Sequence, residues 1–144
     1  MTKEELKLQL QSYQNLKAEC EQVSDLLAEI ESKMTSPKGS GSDGLPNGSC
    51  SGDPMFGIVA RHIDLQEKYR TLQIKLTGAQ IRIEELIDNL DPLKRRLMRC
   101  HYIEGMTWEQ VCTKINYGWA QTHRFHSQAL DSILERCNKR NGME

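Results

Sequence analysis

The sequence predicts an all-α protein: a long antiparallel helical hairpin of the coiled-coil kind, followed by a C-terminal helix-turn-helix. Three observations carry this. Two long stretches place apolar residues at heptad spacing. A segment rich in Gly, Ser and Pro separates them. The stretch from His101 to Leu134 has the caps, turn and apolar faces of two short helices joined tightly. The expected division is 1–34 for the first coiled-coil helix, 35–54 for a flexible loop, 55–90 for the second helix, and 91–144 for the helix-turn-helix domain.

The first helix is expected from Lys3 to about Met34. Thr2 is its N-cap and Glu5 completes a capping box. Leu6, Tyr13, Cys20, Leu27 and Met34 recur every seven residues, and Leu16, Val23 and Ile30 form the companion series, with one lapse at Gln9. Its length is roughly 48 Å at 1.5 Å per residue. Thr35 to Pro54 cannot continue a helix and offers only Leu45 to bury. The phosphate-loop spacing GxxxxGK[ST] is absent there. The second helix is expected from Met55 to Asn89, with Asp53 as N-cap and Pro54 at its first position. Ile58, Leu65, Leu72, Ala79 and Leu86 form one series; Tyr69, Leu76, Ile83 and Leu90 form the other. Val59, Ile63, Ile74, Ile81 and Ile87 widen the apolar face, leaving room for a second subunit or for the C-terminal helices. Matched length and heptads predict the hairpin, and the widened stripe gives it a face through which a homo-oligomer could form.

Asp91 and Pro92 open an Arg-rich helix in which Leu93, Leu97, Cys100 and Ile103 share a face, and Gly105 ends it. Thr107 and Gln110 form another capping box, and Trp108, Val111, Cys112 and Ile115 supply that helix's buried side. Asn116, Tyr117 and Gly118 make the turn, with Tyr117 expected in the motif's core. The last helix is expected from about Trp119 to Cys137. Its inward side is Thr122, Phe125, Ala129, Leu130, Ile133 and Leu134.

Charge and cysteine content narrow the classes of function. Net charge is −1, but nine Lys/Arg face six Asp/Glu from Asp91 onward, while the first 36 residues hold four against seven. The positive end is the helix-turn-helix end, as phosphate binding requires. The excess is small, so tight binding calls for a dimer or an assisting partner. Five scattered cysteines without a CxxC pair exclude a zinc ribbon and a disulfide framework. No apolar run spans a bilayer and no secretory pattern opens the chain, so a cytoplasmic protein with no membrane partner is expected. There is no nucleophile with a placed base, no phosphate loop and no acidic metal cluster; no enzyme, metal or cofactor is expected.

A helix lying in a DNA major groove reads bases through the outward side chains near its start. Here those are Trp119, Gln121, His123, Arg124 and Ser127. Arg124 is the first candidate, because a guanidinium grips a guanine edge with two bonds; Gln121 follows, because its amide pairs with adenine. Lys114, Arg95, Arg96 and Arg99, with Lys94, are candidate phosphate clamps. His123 and His126 have a spacing that suits a metal, but no further ligand lies near them, and a DNA contact is the better role for His123.

The segment from Leu97 to Leu134 resembles the fourth region of bacterial sigma-70-type factors, the helix-turn-helix that reads the upstream element of a promoter. The shared frame is an Arg-rich helix, then YIEGMTWEQVCTKINY, then a recognition helix ending in QALDSIL. The whole chain resembles small proteins of phages and mobile elements in low-GC Gram-positive bacteria. Those join an N-terminal coiled coil, a Ser/Gly/Pro loop and a sigma-like end. Arg124, His126, Ala129 and Leu130 are similar to that group's recognition-helix pattern. The resemblance implies a phage-encoded transcriptional regulator acting on double-stranded DNA with host RNA polymerase. The chain departs from the pattern at Gly118 and Trp119, and it has no core-binding second region of a complete sigma factor. Two alternatives stand beside this. One is a phage DNA-packaging small terminase subunit, which a ring of eight or more copies would favour. The other is a protein-binding module that acts on RNA polymerase without touching DNA.

Overall fold

The computed structural model describes residues 1–35 and 54–142. These residues form five α-helices and one π-helical turn, with no strand among them. Helix α1 is Lys3–Thr35, α2 is Pro54–Ile87, α3 is Pro92–Met98, α4 is Trp108–Ile115 and α5 is Trp119–Gly142. Thr35, expected in the loop, is helical, Pro54 opens α2 at its first position, and α5 outruns its expected end at Cys137 by more than a turn. The rest of the expected loop, including Leu45 and the N-cap at Asp53, lies outside the described residues. Two compact units are present: Met1–Lys17 with Lys75–Glu144, and Ala18–Ile74.

In the Ala18–Ile74 unit the heptad residues do the packing. Cys20, Val23, Leu27 and Ile30 of α1 and Leu65 and Leu72 of α2 are buried. Glu31, late in α1, meets the His62 imidazole of early α2 at 3.2 Å. The apolar residues expected to widen this face do not join it. Ile63 and Ile74 are 50% and 67% exposed. Of the five, only Ile87, in the other unit, is buried. A residue two places from the packed series lies about 200° round the helix, which carries Ile63 and Ile74 to the far side from Leu65 and Leu72.

The other unit has one continuous core. Leu6, Leu10 and Tyr13 of α1 meet Ile83, Ile87 and Leu90, then Leu97, Met98, Cys100 and Tyr102, then Val111, Ile115, Ala129, Leu130 and Ile133. Leu10, four residues after Leu6, fills the place that Gln9 left polar. The capping box at Thr2 is made: Glu5 takes the Thr2 amide at 3.0 Å and Thr2 Oγ1 takes the Glu5 amide at 3.2 Å. Thr107 and Gln110 do the same for α4. Asp91 does not cap α3 with its side chain; its carboxylate pairs with Lys94 at 3.3 Å instead. Pro92 at the first helical position starts that helix without such a bond.

The Arg-rich helix does not run as a single α-helix to Gly105. From Arg99 to Ile103 it widens into a π-turn. That extra residue per turn brings Tyr102 inward beside Cys100, so both are buried. Two carbonyls freed at its end, of Tyr102 and Ile103, accept from Gln14 Nε2 of α1 at 2.8 and 2.9 Å. Gly105 follows with φ of +74°, and a Cβ there would stand 2.9 Å from Gln14 Oε1. Gly105→Ala is therefore expected to destabilise the chain by more than about 1 kcal/mol, through backbone strain and a displaced Gln14. A urea midpoint equal to that of the parent would refute this.

Candidate nucleic-acid interface

Asn116 ends α4 in the left-handed region, with φ of 61°. Its short polar side chain tolerates that region better than most. The chain then turns through Tyr117 and Gly118 into α5, which buries Thr122, Ala129, Leu130 and Ile133. The face on the other side of α5 holds Ala120, Arg124 and Gln128, all exposed, with Gln121 half-buried at its edge. Arg124 Nη1 donates to Gln121 Oε1 at 3.3 Å. The two strongest base-reading candidates are thus held side by side, one turn apart. Lys114 on α4 is exposed close by in the chain, and neither it nor Arg124 forms an ion pair among the described residues.

The remaining candidates fall into different places. Arg96 is exposed, and its charge and that of Lys114 both act to lower the Cys100 thiol. Burial, followed by the Glu104 carboxylate, nevertheless pushes that thiol up. Arg95 makes a long contact of 3.5 Å with the Asp88 carbonyl. Arg99 is not a free cation: its Nε and Nη2 donate to Glu84 at 3.1 and 2.6 Å. That bidentate bond holds the Glu84 carboxyl below its usual range. Ser127 is not free either. Lys3 Nζ, from the first turn of α1, donates to its hydroxyl at 2.7 Å and pairs with Asp131 at 3.2 Å.

His123 turns toward the protein. Its ring lies between Trp108 and Trp119, with centroids 4.8 and 4.4 Å away, and its Nε2 is buried without a hydrogen-bond partner. Trp119 keeps 56% of its surface exposed while covering this histidine. Tyr117, expected in the core, is 43% exposed and touches Phe125 edge-on at 5.0 Å. Thr122 occupies the interior position instead, and Tyr117 is left beside the turn.

Residue reasoning missed a polar contact behind this face. The Tyr102 hydroxyl and His126 Nε2 are hydrogen-bonded at 2.7 Å, and the His101 ring stacks on Trp108 at 3.9 Å. His101 Nδ1 donates to the Met106 carbonyl at 2.9 Å and so ties the chain after Gly105. Burial chiefly, then His101, Lys7, His123 and Lys3, pushes His126 down to about 3 from its ordinary 6.5. Burial also pushes the Tyr102 hydroxyl up to about 12. The pair is thus a protonated phenol hydrogen-bonded to a neutral imidazole.

This has a consequence for stability. Above pH 6.5, His126 is neutral both folded and unfolded. As the pH falls below that, the unfolded chain binds a proton that the folded one refuses, so stability declines until about pH 3. One such group contributes at most about 1.4 kcal/mol per pH unit. His101, also lowered by burial, acts in the same direction. Melting temperature is expected to drop from pH 7.5 to pH 5, and less steeply in His126→Gln. Parallel profiles for parent and variant would contradict the assignment.

Among the described residues, no three His, Cys, Asp or Glu side chains converge as a metal site. None of the described helices is long and apolar enough to cross a membrane. Comparison of the chain with protein-family models, with curated proteins and with solved structures finds no match.

Proposed function

We propose that this chain is a sequence-specific DNA-binding transcription regulator of the sigma-like kind, phage-encoded and acting in the cytoplasm at promoters with host RNA polymerase. In this reading α4 and α5 are a helix-turn-helix, and α5 is the recognition helix in the major groove. Arg124 and Gln121 read base edges, while Lys114 and Arg96 hold phosphates. Helices α1 and α2 form an antiparallel coiled-coil hairpin that serves self-association or polymerase contact. The protein works by binding and not by catalysis. One observation carries the reading: Arg124, exposed on the face of α5 opposite its buried one, is bonded to Gln121 at that face's edge. Ser127, Arg99 and His123, engaged within the chain, are left out of the contact set.

Genome-wide mapping of the DNA occupied in cells tests this. The expected result is a recurring sequence motif at promoters; occupancy without any motif would overturn it. A second reading has an observation of its own. Trp119 and Tyr117, both exposed at the turn between α4 and α5, have the amphipathic character of protein-contact residues. In that reading the same end grips RNA polymerase without DNA, and duplex binding shows no dependence on salt.

A further inference from the structure

We infer that α2 carries a second, outward-facing seam built to pair antiparallel with α2 of a second copy of this chain. This deepens the self-association in the proposed function by naming the face and the register.

The inward seam of α2 uses Ile58, Leu65, Leu72 and their companions. On the opposite side, alternate steps of four and three residues link Phe56, Ala60, Ile63, Glu67, Arg70 and Ile74, all of them exposed. Along the α2 sequence the same steps continue to Thr77 and Ile81, also exposed. This is coiled-coil spacing with no partner among the described residues. Phe56, Ile63, Ile74 and Ile81 are 74%, 50%, 67% and 54% exposed, which is unusual for large apolar side chains sharing one helix face.

The order of these residues identifies the occupant. A two-fold axis placed between Lys68 and Tyr69 sets Ile63 of one copy against Ile74 of the second. It sets Glu67 against Arg70, and each pair occurs twice. Both pairs lie within the Ala18–Ile74 unit. An isologous two-fold interface needs this self-complementarity: apolar on apolar, acid on base, read identically from either copy. Glu67 and Arg70 have no ion-pair partner among the described residues. The flanking Gln66 and Gln73 are neutral, so no like charges oppose the approach. Ile63, Glu67 and Arg70 also line a groove completed by Leu27 of α1, which gives an incoming helix a concave seat.

The two glycines of α2 form an independent observation. Gly57 and Gly78 sit inside the helix, where glycine costs about 1 kcal/mol relative to alanine. A Cβ at either would meet nothing within 4 Å, so packing among the described residues does not call for them. Both flank the outward seam. Gly78 lies within a turn of Ile81 along the helix.

The test is the mass of the full chain in solution by sedimentation equilibrium, with circular dichroism to verify helix content. The parent is expected to be a dimer at tens of micromolar. Ile63→Asp is expected to weaken the dimer roughly tenfold or more. Glu67→Arg alone sets two guanidinium groups against each other at each charged pair. Arg70→Glu alone sets two carboxylates against each other, so each single variant is weakened. An equimolar mixture of these two single variants restores every opposite-charge pair and is expected to form the heterodimer. A monomeric parent, a dimer indifferent to Ile63→Asp, or single variants that do not pair on mixing would each overturn the inference. Because the readout is mass and not DNA affinity, this inference and the proposed function fail separately.

Discussion

Leu130→Ala is expected to cost about 2–5 kcal/mol of stability, the range for truncating a fully buried leucine. Leu130 has no exposed surface, and the core around it draws on α1, α2, α3, the π-turn and α4 as well as α5. Backbone segments from so many elements cannot all close in on the lost volume, so the upper half of the range is expected. The fluorescence of Trp108 and Trp119 reports on this same unit, and Trp108 packs against its core. A urea titration followed at the tryptophans should show a clearly lower midpoint. Ile74→Ala, at a position 67% exposed, should shift it little in a dilute sample. Equal shifts for the two variants would mean that the core is wrongly placed.

Arg124→Ala is expected to weaken binding to the cognate duplex by about 1–3 kcal/mol, the value of one bidentate base contact. On random duplex the loss should be much smaller, because a base reader has no matched edge there. Equal losses on both would make Arg124 a phosphate contact. Arg99→Ala supplies the contrast. Its guanidinium is held in a fork by Glu84, so removing it should leave cognate affinity nearly unchanged. Fluorescence anisotropy with labelled duplexes at fixed salt measures all of these. A larger loss for Arg99→Ala than for Arg124→Ala would reverse the assignment.

Local signals along the chain were legible, and side-chain company from distant segments was not. The two capping boxes, the glycine after the π-turn and the inward face of α5 depend on neighbours within a few residues, and spacing carries them. Leu10 replacing Gln9 shows the limit of a strict heptad: both lie near the seam, and packing against the other helices chose between them. The π-turn at Arg99–Ile103 leaves no mark that a pattern of period 3.6 can show, so Tyr102 was not expected inside. Ser127 and Arg99 read as free polar groups because Lys3 and Glu84, their partners, lie 124 and 15 residues away in sequence. Tyr117 read as core because it is aromatic, yet the left-handed Asn116 turns it outward against Phe125. The surplus isoleucines of α2 were legible as apolar. Which side they occupy follows from a two-residue offset that only the packed partner makes visible.

The central claim is that the α4–α5 end binds duplex DNA and reads its sequence. The most direct measurement is selection of bound duplexes from a randomised pool by the full chain, followed by titration of the selected duplex at two salt concentrations. The expected result is one enriched motif, weaker binding at the higher salt, and loss of the enrichment in Arg124→Ala. Recovery of no motif, with duplex binding that does not change with salt, would contradict the claim.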